Sequence, residues 1–203
     1  RVLPALYEAL HQAIVETYGE DVKVPRVLRF ATWVGGDMDG NPNVNAETIA
    51  ATLSAQRTLV LERYIEDVQA LGRLLSQTDD RVKLDDKLQR RLDAYRERLS
   101  DAAAGIRPRH ADMPYRAFLT FVAARLASTL EDGGDRYASA QEFIDDIAQV
   151  EHSLLHHHGK HAGAYAVGRL LWRARTFGFE LARTGVRQEA RGVDAALAGL
   201  VGV

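Results

Sequence analysis

Two short runs with strand character stand near opposite ends of this chain, and nearly everything between them reads as helix. Val27-Leu28-Arg29-Phe30-Ala31-Thr32-Trp33-Val34 is rich in β-branched and aromatic residues and is bounded by Pro25 and by Gly35-Gly36. Those are the marks of a short buried strand. Phe177-Gly178-Phe179-Glu180-Leu181-Ala182 reads as a second strand. Two isolated strands do not make a stable sheet in water. They either pair with each other through a long parallel crossover or join a larger sheet outside this chain, and the second arrangement is the expectation.

The intervening patterns follow the helical period. Leu3, Leu6, Tyr7, Leu10 and Ile14 already mark a helix before the first strand. Asn45 can cap a helix over about 46–76, with Glu47 in its first turn and Ile49, Leu53, Val60, Leu61, Tyr64, Val68 and Leu71 on its stripe. A helix of that length extends roughly 45 Å. Leu84, Leu88, Leu92, Tyr95 and Leu99 form the next stripe, closed by Gly105 and Pro108. Pro114 opens a third, which Gly133-Gly134 stops. Ser139 and Glu142 have the spacing of a capping box at the head of a fourth. A fifth runs through Tyr165, Val167, Leu170 and Leu171 to about Thr176.

Composition removes several function classes. The chain has no cysteine, so disulfide scaffolds, thiolate metal sites and cysteine nucleophiles are excluded. The net charge of -2 gives no reason to expect nucleic acid or an anionic membrane as partner. No apolar run approaches the length of a membrane span. Neither end carries a targeting signal, and both Arg1 and Val203 read as internal positions, which leads us to expect a piece of something longer.

Three constellations could carry chemistry. The first is Gly35-Gly36-Asp37-Met38-Asp39-Gly40-Asn41-Pro42-Asn43, whose small residues let a backbone bend tightly and approach a ligand. Asp37, Asp39 and Asn41 alternate as in a calcium loop. That loop needs glycine at 42 and glutamate at 48, where this chain has Pro42 and Thr48, so calcium is rejected. A plain strand-to-helix turn with Asp side chains capping amides stays open beside the functional reading.

The second constellation is the run of Arg169, Arg173, Arg175, Arg183, Arg187 and Arg191 against Glu180 and Glu189. Guanidinium presents paired donors that match phosphate or carboxylate oxygens. Arg169 and Arg173 read as a solvated helix face. Arg187, just past the second strand, is the better anion ligand, because strand C-terminal ends face the ligand crevice in α/β folds. The third is His152, His156, His157, His158 and His161, which could pair across a helix face for zinc. With Gly159 interrupting, they read instead as a solvated helix end. Trp33 and Trp172 read as core residues, and Trp33, beside the glycine pair, could instead wall a ligand pocket.

The run Phe30-Ala31-Thr32-Trp33-Val34-Gly35-Gly36-Asp37-Met38-Asp39-Gly40-Asn41-Pro42 closely resembles a hallmark of phosphoenolpyruvate carboxylases, FGSWxGGDRDGNP. Pro114-Tyr115-Arg116 with Ala124-Arg125-Leu126 resembles that family's PYR…RxL stretch. Gly159-Lys160-His161-Ala162-Gly163 with Arg169-Leu170-Leu171, and Phe177-Gly178-Phe179-Glu180-Leu181 with Val186-Arg187-Gln188-Glu189, resemble two more. The resemblance implies a mainly α chain whose two short parallel strands belong to a (β/α)8 barrel with many extra helices. On that basis 27–34 is a barrel strand, 35–45 an active-site loop, 46–176 a helical insertion, and 177–189 a barrel strand with a substrate-binding turn. It also implies a cytoplasmic homotetramer that joins phosphoenolpyruvate to bicarbonate with Mg2+ or Mn2+, the metal ligands lying outside this chain. Arg187 then contacts the substrate phosphate. Trp33 lines the pocket for bicarbonate or carbon dioxide, and the loop of Gly35, Gly36, Asp37, Asp39, Gly40 and Asn41 lies beside them.

Three positions depart from the pattern. Met38 replaces an arginine, Gly185 an aspartate, and Ala190 a serine. The loss at 185 is expected to loosen the orientation of Arg187. The family's TAHPT histidine motif and GRGGS loop are absent from these 203 residues. The isolated chain is therefore expected to be inactive. A non-catalytic helical scaffold descended from the same fold is the alternative.

Overall fold

The computed structural model describes residues 2–19, 22, 24–156, 163–189 and 193. Among them are seven α-helices and two very short strands. Helix α1 spans Val2–Tyr18, α2 Ala46–Leu74, α3 Asp86–Arg98, α4 Ser100–Ala104, α5 Pro114–Leu130, α6 Ala140–His156 and α7 Ala164–Phe177. Strand β1 is Ala31–Thr32 and β2 is Arg183–Thr184.

The helix signals in the sequence act as read. Asn45 caps α2: its side chain accepts from Thr48 N at 2.9 Å, and the Thr48 side chain returns a bond to Asn45 N. Asp85, not singled out in the sequence, caps α3 through Leu88 N at 2.7 Å. Pro114 is the first residue of α5, where its missing N–H removes nothing. At α6 the reciprocal bond shifts by one residue, because Glu142 accepts from Ala138 N at 3.0 Å.

The long α2 packs along α5, α6 packs along α7, and α3 bridges α5 and α6. Tyr64, Leu88, Leu92, Phe118, Phe121, Val122, Phe143, Ile147 and Leu170 meet in one closed core. Helix α1 lies on α7, where Tyr7 stacks on Trp172 with ring centroids 4.3 Å apart. The Tyr7 hydroxyl accepts from Val27 N and Leu28 N, which ties the approach to β1 to the helical frame. No helix among the described residues is long and apolar enough to cross a membrane.

The two short strands are parallel as expected, and they differ from expectation in length, position and burial. They pair with each other, in parallel, with Ala31 opposite Arg183 and Thr32 opposite Thr184, so helices α2–α7 form the crossover between them. Pairing within 27–34 is confined to Ala31–Thr32. Phe177–Ala182 is not a strand: Phe177 ends α7, Gly178 turns at φ +59°, and β2 starts only at Arg183. A helix already bonded through Ala174 and Gly178 leaves this run no partner to extend toward. The expected burial of 27–34 also fails. Val27, Phe30, Trp33 and Val34 are exposed, since a two-stranded sheet leaves both outer edges and one face uncovered.

Candidate active site

The site residues come together at the C-terminal ends of the two strands. Past β1 the chain turns at once: the Trp33 carbonyl accepts from Gly36 N at 2.9 Å and Asp37 N at 3.2 Å. Past β2 it stays beside that turn. Gly185 N donates to Thr32 O at 2.9 Å, Arg187 N to Gly36 O at 2.9 Å, and Met38 N to Arg187 O at 2.8 Å. Asp37 and Arg187 thus face each other in a single parallel bridge beyond the strands proper. Backbone bonds, rather than side-chain contacts alone, hold the glycine–aspartate loop to the arginine turn.

The glycines make this approach feasible. Gly36 is buried, and a Cβ there would overlap the carbonyl oxygen of Gly185. Gly35 turns at φ +74° with the Thr52 side chain of α2 seated against it. Gly40 turns at φ +68°, a conformation that L side chains rarely adopt. Asp37 Oδ1 receives Asp39 N at 3.4 Å, and Asn41 Oδ1 receives Asn43 N at 3.1 Å, so carboxylate and amide side chains also shape the loop. The turn-forming reading and the ligand-facing reading are therefore compatible.

Arg187 points its guanidinium into this loop. Nη2 donates to Asp39 Oδ2 at 2.6 Å, and Nε lies 3.8 Å from Asp37 Oδ1. The guanidinium is held more firmly as a cation, chiefly by the bond to Asp39 and then by the fields of Asp37 and Asp39. Its carbon lies 6.0 Å from the centre of the Trp33 ring. With glycine at 185, the carboxylates that face Arg187 come from the opposite loop, Asp37 and Asp39. Met38, at the position of the absent arginine, contributes its backbone N–H.

Sequence reasoning missed the supports from α2. Gln56 accepts from Ala182 N at 3.3 Å and donates to Thr184 Oγ1 at 3.4 Å, clamping β2 from the helix side. Nothing in the α2 pattern distinguishes Gln56 from a solvated polar residue. Arg173 also corrects its reading as solvated, since it pairs with Asp67 at 2.9 Å and is largely buried. The His152 and His156 rings stack at 5.4 Å. His157, His158, His161, Ala190 and Arg191 lie outside the described residues. A cleft of about 740 Å³, lined by Arg29, Phe30, Arg57, Phe177 and Phe179, opens at the entry ends of the strands and is not lined by Trp33, Asp37, Asp39 or Arg187.

These two loops meet at the C-terminal ends of parallel strands, the place where α/β enzymes bind ligands. A family model described as phosphoenolpyruvate carboxylase matches residues 1–203, and the chain belongs to that family. It is 53% identical over 190 residues to the phosphoenolpyruvate carboxylases of Xanthomonas oryzae pv. oryzae and Xanthomonas campestris pv. campestris. It is 33% identical over 218 residues to the phosphoenolpyruvate carboxylase of Burkholderia mallei. The matches cover 94% and 98% of this chain but only 21% of each relative, so the chain spans about a fifth of their length.

Proposed function

We propose that the full-length protein carrying this segment carboxylates phosphoenolpyruvate with bicarbonate, yielding oxaloacetate and phosphate, and that residues 1–203 supply one sector of its active site. One observation supports this reading most. The only guanidinium in the 183–189 turn besides Arg183 lies 6.0 Å from an exposed indole, across a backbone-bonded glycine–aspartate loop. Arg187 binds the substrate phosphate with the donors that Asp39 and Asp37 leave unused. Trp33 forms an apolar wall that keeps water from the carbon dioxide released beside the enolate.

In that chemistry a divalent cation, Mg2+ or Mn2+, offsets charge on the transferring phosphoryl group. Among the described residues no group of three or more His, Cys, Asp or Glu is placed to hold one. Asp37 and Asp39 face Arg187. In the same reading β1 and β2 are neighbouring strands of a (β/α)8 barrel, α2–α7 are an insertion on it, and the whole is a cytoplasmic homotetramer.

Arg187→Met and Arg187→Lys in the full-length protein test this, with oxaloacetate followed by coupled reduction. The expected result is a loss of about 100-fold or more in kcat/KM for Arg187→Met, the scale for removing one stabiliser of transferred charge. Full activity in Arg187→Met would refute the assignment. The isolated 203-residue chain is expected to form no oxaloacetate above a buffer blank.

A further inference from the structure

Thr184 joins two parts of the candidate site that no motif links. It is the second residue of β2, opposite Thr32 of β1, and is half-buried. Its two side-chain branches go different ways. The hydroxyl accepts from Gln56 Nε2 of α2 at 3.4 Å. The methyl fills the space beside Gly36, since a Cβ built on that glycine would lie 3.0 Å from Thr184 Cγ2. One side chain therefore touches both the helical frame and the glycine–aspartate loop.

Gln56 is fixed at two points. Its Oε1 accepts from Ala182 N at 3.3 Å, a donor that also reaches Glu180 O at 2.6 Å. A backbone N–H can only donate, so the amide oxygen faces Ala182 and Nε2 faces the Thr184 hydroxyl. Each bond is long, and each is weak alone. One turn earlier on the same face of α2, Thr52 donates to Thr48 O at 2.8 Å, and its side chain rests against Gly35. Residues four apart on one helix thus hold one loop each: Thr52 the turn after β1, Gln56 the strand that leads to Arg187. Threonine is stiff at χ1, so a hydroxyl held by Gln56 also decides where the Thr184 methyl lies.

We infer that Gln56 is a positioning residue for the Arg187 turn: it sets the rotamer of Thr184, whose methyl seats Gly36, and so fixes the level at which the arginine turn meets the glycine–aspartate loop. Every contact in this relay lies within residues 35–187. The kinetic consequence rests on the proposed contact of Arg187 with the substrate phosphate. The placement of the turn does not.

The test uses the full-length protein carrying Gln56→Leu, Gln56→Glu or Thr184→Val. Leucine keeps much of the bulk and removes both bonds. Glutamate keeps them, because a carboxylate accepts from Ala182 N and from a rotated Thr184 hydroxyl. In Gln56→Leu, hydrogen exchange followed by mass spectrometry is expected to speed several-fold over 35–40 and 183–189, where Met38 N and Arg187 N are bonded across the loops. Exchange over 115–126 of α5 is expected to stay unchanged. The KM for phosphoenolpyruvate is expected to rise about threefold to tenfold, with kcat within about twofold. Gln56→Glu is expected to restore exchange and KM together. Thr184→Val keeps the shape, loses one bond and covers a failure of Gln56→Leu to fold. It is expected to show the same changes at smaller size, and Gln56→Leu to add less in that background than alone. Unchanged exchange over the two loops, equal acceleration over 115–126, or no rescue by glutamate overturns the inference. Faster exchange confined to the loops with an unchanged KM for phosphoenolpyruvate upholds the positioning and instead refutes the phosphate role of Arg187.

Discussion

Replacing Arg125 by methionine tests the helical frame most sharply. Arg125 comes from α5 and is 1% exposed, the largest fully buried side chain among the described residues. Nη1 donates to the Tyr95 hydroxyl at 2.7 Å, Nη2 pairs with Glu142 at 2.8 Å, and the guanidinium lies 3.9 Å from the centre of the Tyr137 ring. It also donates to the carbonyls of Asp135 and Arg136. Tyr95 and Tyr137 each donate to Asp146 Oδ2 at 2.7 Å, and Arg91 pairs with the other oxygen. One cation thus joins α5, α3, α6 and the loop before α6.

Methionine keeps most of the apolar stem, ends two atoms short of the guanidinium tips and removes every one of these bonds. Breaking a buried pair by deleting one partner costs about 3–5 kcal/mol. For a chain of this size each kcal/mol moves the thermal midpoint by about 2–4 °C, so the expected drop is roughly 6–20 °C. Asp146→Asn should be milder. Burial pushes the Asp146 carboxyl above its ordinary range, against Arg91, the two phenols and Arg125, so its charge is already held at a disadvantage. Asparagine keeps an acceptor for the phenols, and the expected loss is under about 2 kcal/mol. Melting curves of the 203-residue chain followed by circular dichroism at the helix band decide between these values. A drop below about 2 °C for Arg125→Met, or a larger drop for Asp146→Asn, would refute the reasoning.

Other outcomes follow from the same contacts. Asp39→Asn in the full-length protein should raise the KM for phosphoenolpyruvate about threefold to fivefold, the range for an exposed ion pair, with kcat less affected. An unchanged KM would mean that Asp39 does not orient Arg187. Tyr7→Phe strips the shared acceptor from Val27 N and Leu28 N. It should cost about 1–2 kcal/mol and speed hydrogen exchange at those two amides, which is read by mass spectrometry or NMR. Glu142 is pulled below its ordinary value of 4.5, since Ala138 N–H and Arg125 outweigh the opposing effect of burial. Its contribution to stability is therefore present above pH 4.5 and lost as pH falls through the depressed folded value. Glu142→Gln should flatten that acid limb in denaturation curves, leaving the curves above it shifted but parallel.

The helices were legible because periodicity and start signals agree: Asn45 and Pro114 mark starts where the structure has them. The strands were less so. Phe177-Gly178-Phe179 has strand composition, but Phe179 packs on Phe143 at 6.0 Å and Tyr137 at 6.4 Å, and that tertiary contact bends the run into a turn. Arg125 and Asp146 carried a signal that composition hides. Each occupies a core-facing place on an apolar helix stripe, among Phe118, Val122 and Thr129 in one case and Phe143, Ile147 and Val150 in the other. A charge on such a stripe marks a buried partner. The meeting of Trp33 with Arg187 followed from motif resemblance, not from the residues between them. The close approach of Gly185 to the Trp33 ring needed coordinates.

Two strands of two residues each cannot hold a loop and an arginine in register by themselves. The restraint comes from helices on all sides. Tyr7 of α1 holds the approach to β1, Thr52 of α2 rests on Gly35, and Gln56 clamps β2. Phe179 anchors the turn before β2 on Tyr137 and Phe143, and Tyr137 is itself fixed by Arg125 and Asp146. The path from Arg125 to Arg187 is therefore a chain of direct contacts through Tyr137, Phe179 and the start of β2. Loosening the buried cation should then reach the Arg187 turn as well as the melting point, even though the partners of Arg125 described above lie within the helical frame. A frame this heavy around so short a sheet makes physical sense if the sheet's task is to present two loops to a ligand.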